Sequence, residues 1–172
     1  MQQTKWFERK FNFTSTQNIF PSIVERLWGT PVRLEEKLKS IPPEILTTKV
    51  NGSWTIKENI GHLTDLEPLW QVRLEELKAG KQELSAAELQ NTKTHNANHN
   101  EVHADKLLND FRNIRQETLL MLEGIDDELV FRSALHPRLK TPMRTMDLFL
   151  FVAEHDDHHL ARISELVKIL QK

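Results

Sequence analysis

From Leu148 to Leu170 apolar residues recur at the spacing of a helix, and two histidines stand inside the stripe they make. At about 100° per residue, Leu148, Phe151, Val152, Ile163, Leu166 and Leu170 share one face, and His155 and His159 fall within it about 40° apart. His158 lies at the margin of that face and Asp157 near its opposite. Such a helix must bury its stripe against a partner, and the partner must also satisfy two imidazoles one turn apart. A single inward histidine is commonly answered by a neighbouring carbonyl. Two at i and i+4 can instead ligate a metal ion together, and the chain has no tyrosine to serve them.

Three further segments carry the same period. Between Asn18 and Ser40, Ile19, Ile23, Leu27, Leu34 and Leu38 mark a first helix that stops at Pro42-Pro43. Gly29-Thr30-Pro31 interrupts it; with Thr30 as a cap and Pro31 at a first helical position, the helix is expected to be broken or kinked. Residues 41–54 read as a loop with a turn at Asn51-Gly52. Thr55-Ile56-Lys57-Glu58 has the form of a capping box and opens a second helix that runs to about Lys78. Its inner stripe is Ile56, Leu63, Leu66, Trp70, Leu74 and Leu77, with His62 about 40° from Leu66 at the edge of the buried face. Pro68 removes a bond to the Thr64 carbonyl, so a kink is expected there.

Residues 79–98 are polar and weakly periodic, long enough for a crossover rather than a hairpin. A third helix follows from about Asn100 to Glu123, carrying Leu107, Leu108, Phe111, Ile114, Leu119 and Leu122 and closed by Gly124. Residues 125–141 read as loop with room for a short helical turn, and Thr141-Pro142 start the fourth helix. Residues 1–17, with Trp6, Phe7, Phe11 and Phe13 among charges and no clean period, are expected to pack across a helix surface. No strand alternation competes. The expected fold is all-α, a four-helix bundle with up to two long connections.

At 172 residues the chain is expected to form one domain, 1–172, that buries about 70% of its unfolded surface. A net charge of −2 with 28% charged residues carries no footprint for nucleic acid or a membrane surface. No apolar run is long enough for a transmembrane helix, and Met1-Gln2-Gln3-Thr4-Lys5 lacks the apolar core of a signal peptide; a cytoplasmic protein is expected. The absence of cysteine excludes disulfides, zinc–thiolate sites and a thiol nucleophile of the chain's own.

The other histidines divide. His95, His99 and His103 recur at i, i+4 and i+8, but Asn98 and Asn100 between them suit helix caps better than helix interiors. They read as solvated linker residues. His136, before Pro137, either lines a pocket mouth or is exposed. His62 projects toward the core that His155 and His159 enter. Three histidines from two helices leave a divalent ion with open positions, the arrangement of a catalytic rather than a structural site. Neither a His-Glu-x-x-His pattern nor a Glu-x-x-His pair is present.

The sequence resembles the DinB-like (YfiT-like) family over nearly its whole length. The resemblance rests on Gly29-Thr30-Pro31, on Trp54-Thr55-Ile56-Lys57-Glu58-Asn59-Ile60-Gly61-His62-Leu63 and on His136-Pro137-Arg138. It rests above all on Phe151-Val152-Ala153-Glu154-His155-Asp156-Asp157-His158-His159-Leu160-Ala161-Arg162-Ile163. It implies a bundle of up-down-down-up topology, often homodimeric, and a divalent metal, zinc or nickel, on three histidines that here correspond to His62, His155 and His159. Similar proteins include S-transferases and isomerases that use low-molecular-weight thiols, metal-dependent hydrolases, and many without an assigned reaction.

The expected activity is therefore transfer of a low-molecular-weight thiol to a small electrophile, with hydrolysis through a metal-bound water as the alternative. An ion on three neutral imidazoles keeps its full charge, which can bring a water to a pKa of about 7 or hold a thiolate. The candidate bases are Asp65, Glu67 and Asp156. Asp156 equally reads as a residue that orients a ligand, and Glu67 as a solvated one. Arg162 could bind a substrate carboxylate or form an ordinary salt bridge. The competing class is a non-catalytic, metal-stabilised dimeric module, with Trp6 or Trp28 either in a dimer patch or, more simply, buried against the bundle.

Overall fold

The capping box forms as its sequence requires. Thr55 Oγ1 accepts the Glu58 N–H at 3.1 Å and the Glu58 carboxylate accepts the Thr55 N–H at 2.7 Å, so two of the amides a helix start leaves open are satisfied. The helix begun there, α2, spans Ile56–Lys78. In the computed structural model, which describes residues 3–171, the other helices are α1 (Phe20–Leu38), α3 (Thr92–Asn96), α4 (Ala104–Leu122), α5 (Asp127–Phe131) and α6 (Thr145–Leu170). Part of the expectation for Met1–Lys5 falls on Met1 and Gln2, which lie outside the described residues.

The long helices α1, α2, α4 and α6 pack as a four-helix bundle, and its core gives their directions. At one end the starts of α1 and α6 (Phe20, Leu148) meet the ends of α2 and α4 (Leu77, Leu122). At the other, Leu34 and Leu166 meet Ile56 and Leu107. Hence α1 and α6 run one way, α2 and α4 the other: up, down, down, up. The α1 helix packs on α4 and α6, and α2 on the same two; residues 79–103 are the crossover that the parallel neighbours α2 and α4 demand. Burying each large apolar side chain of these stripes contributes about 1.5–3 kcal/mol.

Several expectations are corrected. The first helix is continuous through Pro31, and Thr30 does not cap; its hydroxyl lies 3.1 Å from the Arg26 carbonyl and 2.8 Å from Asp156 Oδ2. Pro31 leaves the Leu27 carbonyl without its helical donor, and Arg115 Nη1 fills the place at 3.2 Å. Pro68 lies inside α2 without ending it, as its expected place within the helix requires. The segment after α5 contains a hairpin, β1 (Ser133–Leu135) against β2 (Pro142–Arg144), pairing Ala134 with Met143. Pro142 thus sits in an edge strand, where it needs no N–H, and α6 starts at Thr145, with Asp147 accepting from the Arg144 N–H at 3.1 Å. The third long helix starts at Ala104 because Asn98, with φ of 51°, turns the chain first; asparagine tolerates that left-handed conformation better than most residues.

Arg115 is also where the four long helices meet. Its guanidinium donates to Glu67 of α2 at 2.8 Å and to Asp156 of α6 at 2.6 Å, while Thr118 of α4 donates to Glu67 at 2.5 Å. Glu67, read from the sequence as either a candidate base or a solvated group, is fully buried and held in this cluster. Burial alone would lower the Arg115 pKa, but Asp156 and Glu67 together raise it. Burial raises that of Glu67, which shares its one cation with Asp156. Residues of the N-terminal segment pack across α6 as expected: the Trp6 ring meets Phe151 edge-on at 5.0 Å, and Arg9 pairs with Glu154. Trp28 is 57% exposed rather than buried against the bundle.

Candidate metal centre

His62 enters the core from α2, and His155 and His159 from α6, all three buried. Each offers a ring nitrogen, and these atoms lie within 4.8 Å of one another. The hydrogen bonds behind the rings fix which nitrogen is free. Thr94 spends its hydroxyl proton on Asp65 Oδ2 at 2.9 Å, so at 3.0 Å it accepts from His62 Nδ1–H. Asn59 donates its amide to the Thr55 carbonyl at 2.8 Å, which turns Oδ1 toward His159 Nδ1 at 2.8 Å. Both imidazoles therefore carry the proton on Nδ1 and present a bare Nε2 lone pair.

His155 completes the set. Its Nε2 stands 3.2 Å from His159 Nε2, while its Nδ1 is buried with no partner among the described residues. With His159 Nε2 bare, the pair is satisfied either by a shared proton or by a cation that takes both lone pairs. The three rings fit a divalent ion: neutral nitrogen donors, two held in the ligating tautomer by residues outside the first layer. Burial holds all three in the neutral form that ligation needs. It lowers His62 to about 4 against the opposing pull of Asp65, and it places His155 and His159 well below the usual histidine range, helped by the mutual repulsion of the cluster.

His158 is not one of the three; it is half-buried, and the Trp6 ring lies 5.5 Å from its own. Asp156, adjacent to His155 in sequence, points away to Arg115 and Thr30. Asp65 reaches the site only through Thr94, and also lies 2.8 Å from His99 Nε2. Arg162 lines the cavity and donates to Glu165 at 2.5 Å. Of the linker histidines, His95 and His103 are exposed, but His99 is buried over Gly61, where a Cβ would stand 2.3 Å from its ring. The expectation that all three are solvated fails at His99, because the missing side chain of Gly61 makes room for the ring. Nothing in the sequence marks Thr94 as a ligand support, and the trace of Asn59 is its place one turn before His62 in the segment that opens α2.

The triad opens into a cavity of about 540 Å³ walled by Trp6, Trp54, Leu66, Trp70 and Phe151. Trp54 lies 4.6 Å from His62 and stacks on His159 at 6.2 Å, screening both from water. Glu88 is the only acid among the described lining residues, and its oxygens accept the N–H groups of Gln90 and Thr92. His136 lines the same cavity, buried, so the pocket position of its two readings is the one observed. No helix among the described residues is long and apolar enough to cross a membrane.

The model of the DinB superfamily matches residues 26–163. No curated protein matches the sequence significantly. Among solved structures, YfiT from Bacillus subtilis, described as "a probable metal-dependent hydrolase with an unusual four-helix bundle topology", superposes with a TM-score of 0.80 at 18% identity. The match covers 95% of this chain and 94% of that one, and at this identity it is a likeness of fold.

Proposed function

This chain belongs to the DinB superfamily, and on that premise we propose that it is a divalent-metal-dependent enzyme that transfers a low-molecular-weight thiol to a small electrophile. The ion, zinc or nickel, is held by His62, His155 and His159. The observation that carries the reading is the convergence of three neutral imidazoles on an aromatic cavity with a single acid in its described lining. An ion there supplies positive charge that lowers the pKa of a thiol or water at its open position.

The protein's own residues do the rest. Thr94 and Asn59 orient two ligands, Trp54 excludes water, and the apolar walls take up the substrate body. Asp65 and Asp156 are engaged by other residues and are positioning and structural groups in this reading, not bases. Thiol transfer suits a site without a free carboxylate. The sulfur forms its bond to carbon as the leaving group departs with the bonding pair, and the thiol proton passes to solvent. The thiol is a cosubstrate, since the chain has no cysteine. A cytoplasmic setting, where such thiols stay reduced, fits the proposal. So does a homodimer, for which Trp28 and Val32, exposed one turn apart on α1, offer apolar surface.

The test is turnover of 1-chloro-2,4-dinitrobenzene with a panel of small thiols, with and without metal. Chloride release that needs both thiol and metal supports transfer. Metal-dependent cleavage of 4-nitrophenyl acetate without any thiol assigns hydrolysis instead, the alternative that the description of YfiT favours.

A further inference from the structure

Across Trp70 from the triad, the cavity ends in a group of donors that the protein satisfies only in part. Trp70 lies 6.0 Å from the His155 ring, and the Arg73 guanidinium sits 5.4 Å from the Trp70 ring on the way to His136. Arg73 is almost wholly buried and donates from Nε to the Ser85 carbonyl at 2.9 Å. Its next contact is His136 Nε2, 3.2 Å from Nη1. That contact is not a satisfied bond. His136 Nδ1 already accepts the N–H groups of Arg138 at 3.2 Å and Leu139 at 3.1 Å. A neutral imidazole has one proton, so it sits on Nε2 and faces the guanidinium, donor against donor.

Arg138 adds a third group. It lines the same cavity, lies 5.4 Å over the Phe7 ring, and its Nη2 is buried without a partner among the described residues. Glu76, one turn along from Arg73, is occupied by Ser85 and Lys81. Glu76 acts on Arg73 as a nearby charge without a hydrogen bond to it. Buried guanidinium N–H groups without an acceptor are costly, and their arrangement here leaves one kind of ligand that satisfies them together.

We propose that Arg73, His136 and Arg138 form an anion subsite, and that the substrate is a small, largely apolar molecule whose carboxylate or phosphate head binds there. The head's oxygens accept from Arg73, from His136 Nε2–H and from Arg138, while the apolar body lies along Trp70 and Phe151 toward the triad. Burial, with the two guanidiniums, lowers His136 to about 4, so the ring stays a neutral donor rather than a cation at neutral pH. This rests on reading the cavity as a substrate site, but it can be tested apart from turnover.

Calorimetric titration of the full chain, metal-loaded and after chelation, compares 3-phenylpropionate, phenyl phosphate and the neutral 3-phenylpropan-1-ol. An acid should bind about tenfold tighter than the alcohol, or more, since charge-assisted bonds are lost with the head; the tighter of the two acids identifies the head group. The preference should appear in both forms and be lost in Arg138→Gln, whose half-buried site tolerates the change, and in Arg73→Gln where that variant folds. Equal binding of acid and alcohol, no binding of either acid, a preference seen only with metal, or one that survives Arg138→Gln overturns the proposal. Metal content measured on the same samples shows separately whether the metal reading stands.

Discussion

Arg115 Nη1 lies 3.2 Å from the carbonyl oxygen of Leu27, the acceptor that Pro31 leaves without a helical N–H. A side chain from α4 thus closes a gap in the hydrogen-bond ladder of α1 while Nε holds Glu67 and Nη1 and Nη2 together hold Asp156. Arg115→Ala leaves two buried carboxylates without their cation and this carbonyl without a donor, and should cost about 3–5 kcal/mol. Pro31→Ala restores the missing N–H and should change stability by less than about 1 kcal/mol, in the range of ordinary substitutions. Guanidinium chloride unfolding of both variants checks the pair. An Arg115→Ala protein as stable as the parent would show that the cluster does not hold the bundle together.

Metal content should separate the histidines of α6. Alanine at His62, His155 or His159 should abolish stoichiometric zinc or nickel, and alanine at His158 should not, because His158 stands outside the group whose ligand atoms lie within 4.8 Å. Elemental analysis of the four purified variants decides it; an empty site in His158→Ala with a full one in His159→Ala reverses the assignment.

The linker histidines should no longer behave alike. His99 steadies Asp65, which holds Thr94 against His62. His99→Ala and Thr94→Val should weaken metal binding by about 10- to 100-fold, the usual effect of losing a ligand's support. His95→Ala and His103→Ala, altering exposed residues, should leave it unchanged. Competition against a chromophoric chelator measures all four.

Gly61→Ala tests the same support from the opposite side. The added Cβ would stand 2.3 Å from the His99 ring, so the ring and its stretch of the crossover must shift. A loss of about 1–3 kcal/mol is expected from such overpacking, together with the weaker metal binding of His99→Ala. Stability equal to the parent with unaltered metal affinity would mean that His99 has another place to go.

Stability should fall with pH in a defined window. His62 and His136 have folded pKa values of about 4, below an unfolded value of about 6.5. Between these the unfolded chain binds more protons than the native one, so stability rises with pH. It is fully present above the unfolded value and lost as pH falls toward 4. Metal follows the same sign, since protons compete for the ligands. Thermal midpoints of metal-free and metal-loaded protein from pH 8 to pH 5 should both fall, and the difference between them should shrink. A constant difference would argue against histidine ligands.

Four long helices, the faces they bury, the capping box at Thr55 and the inward pair His155 and His159 were all legible in the sequence. These are local matters: a period of 3.6 residues or a cap at fixed spacing is written in consecutive side chains. The hairpin was not legible, because strands of three residues are too short to show alternation. Nor could Gly29-Thr30-Pro31 reveal an unbroken helix, since the donor that repairs it comes from Arg115, far along the chain. The same reason hid the burial of Glu67 and His99 and the supporting roles of Thr94 and Asn59. Whether a polar group is satisfied depends on what another element brings within about 3 Å of it, and only the packing of α2, α4, α6 and the crossover decided that.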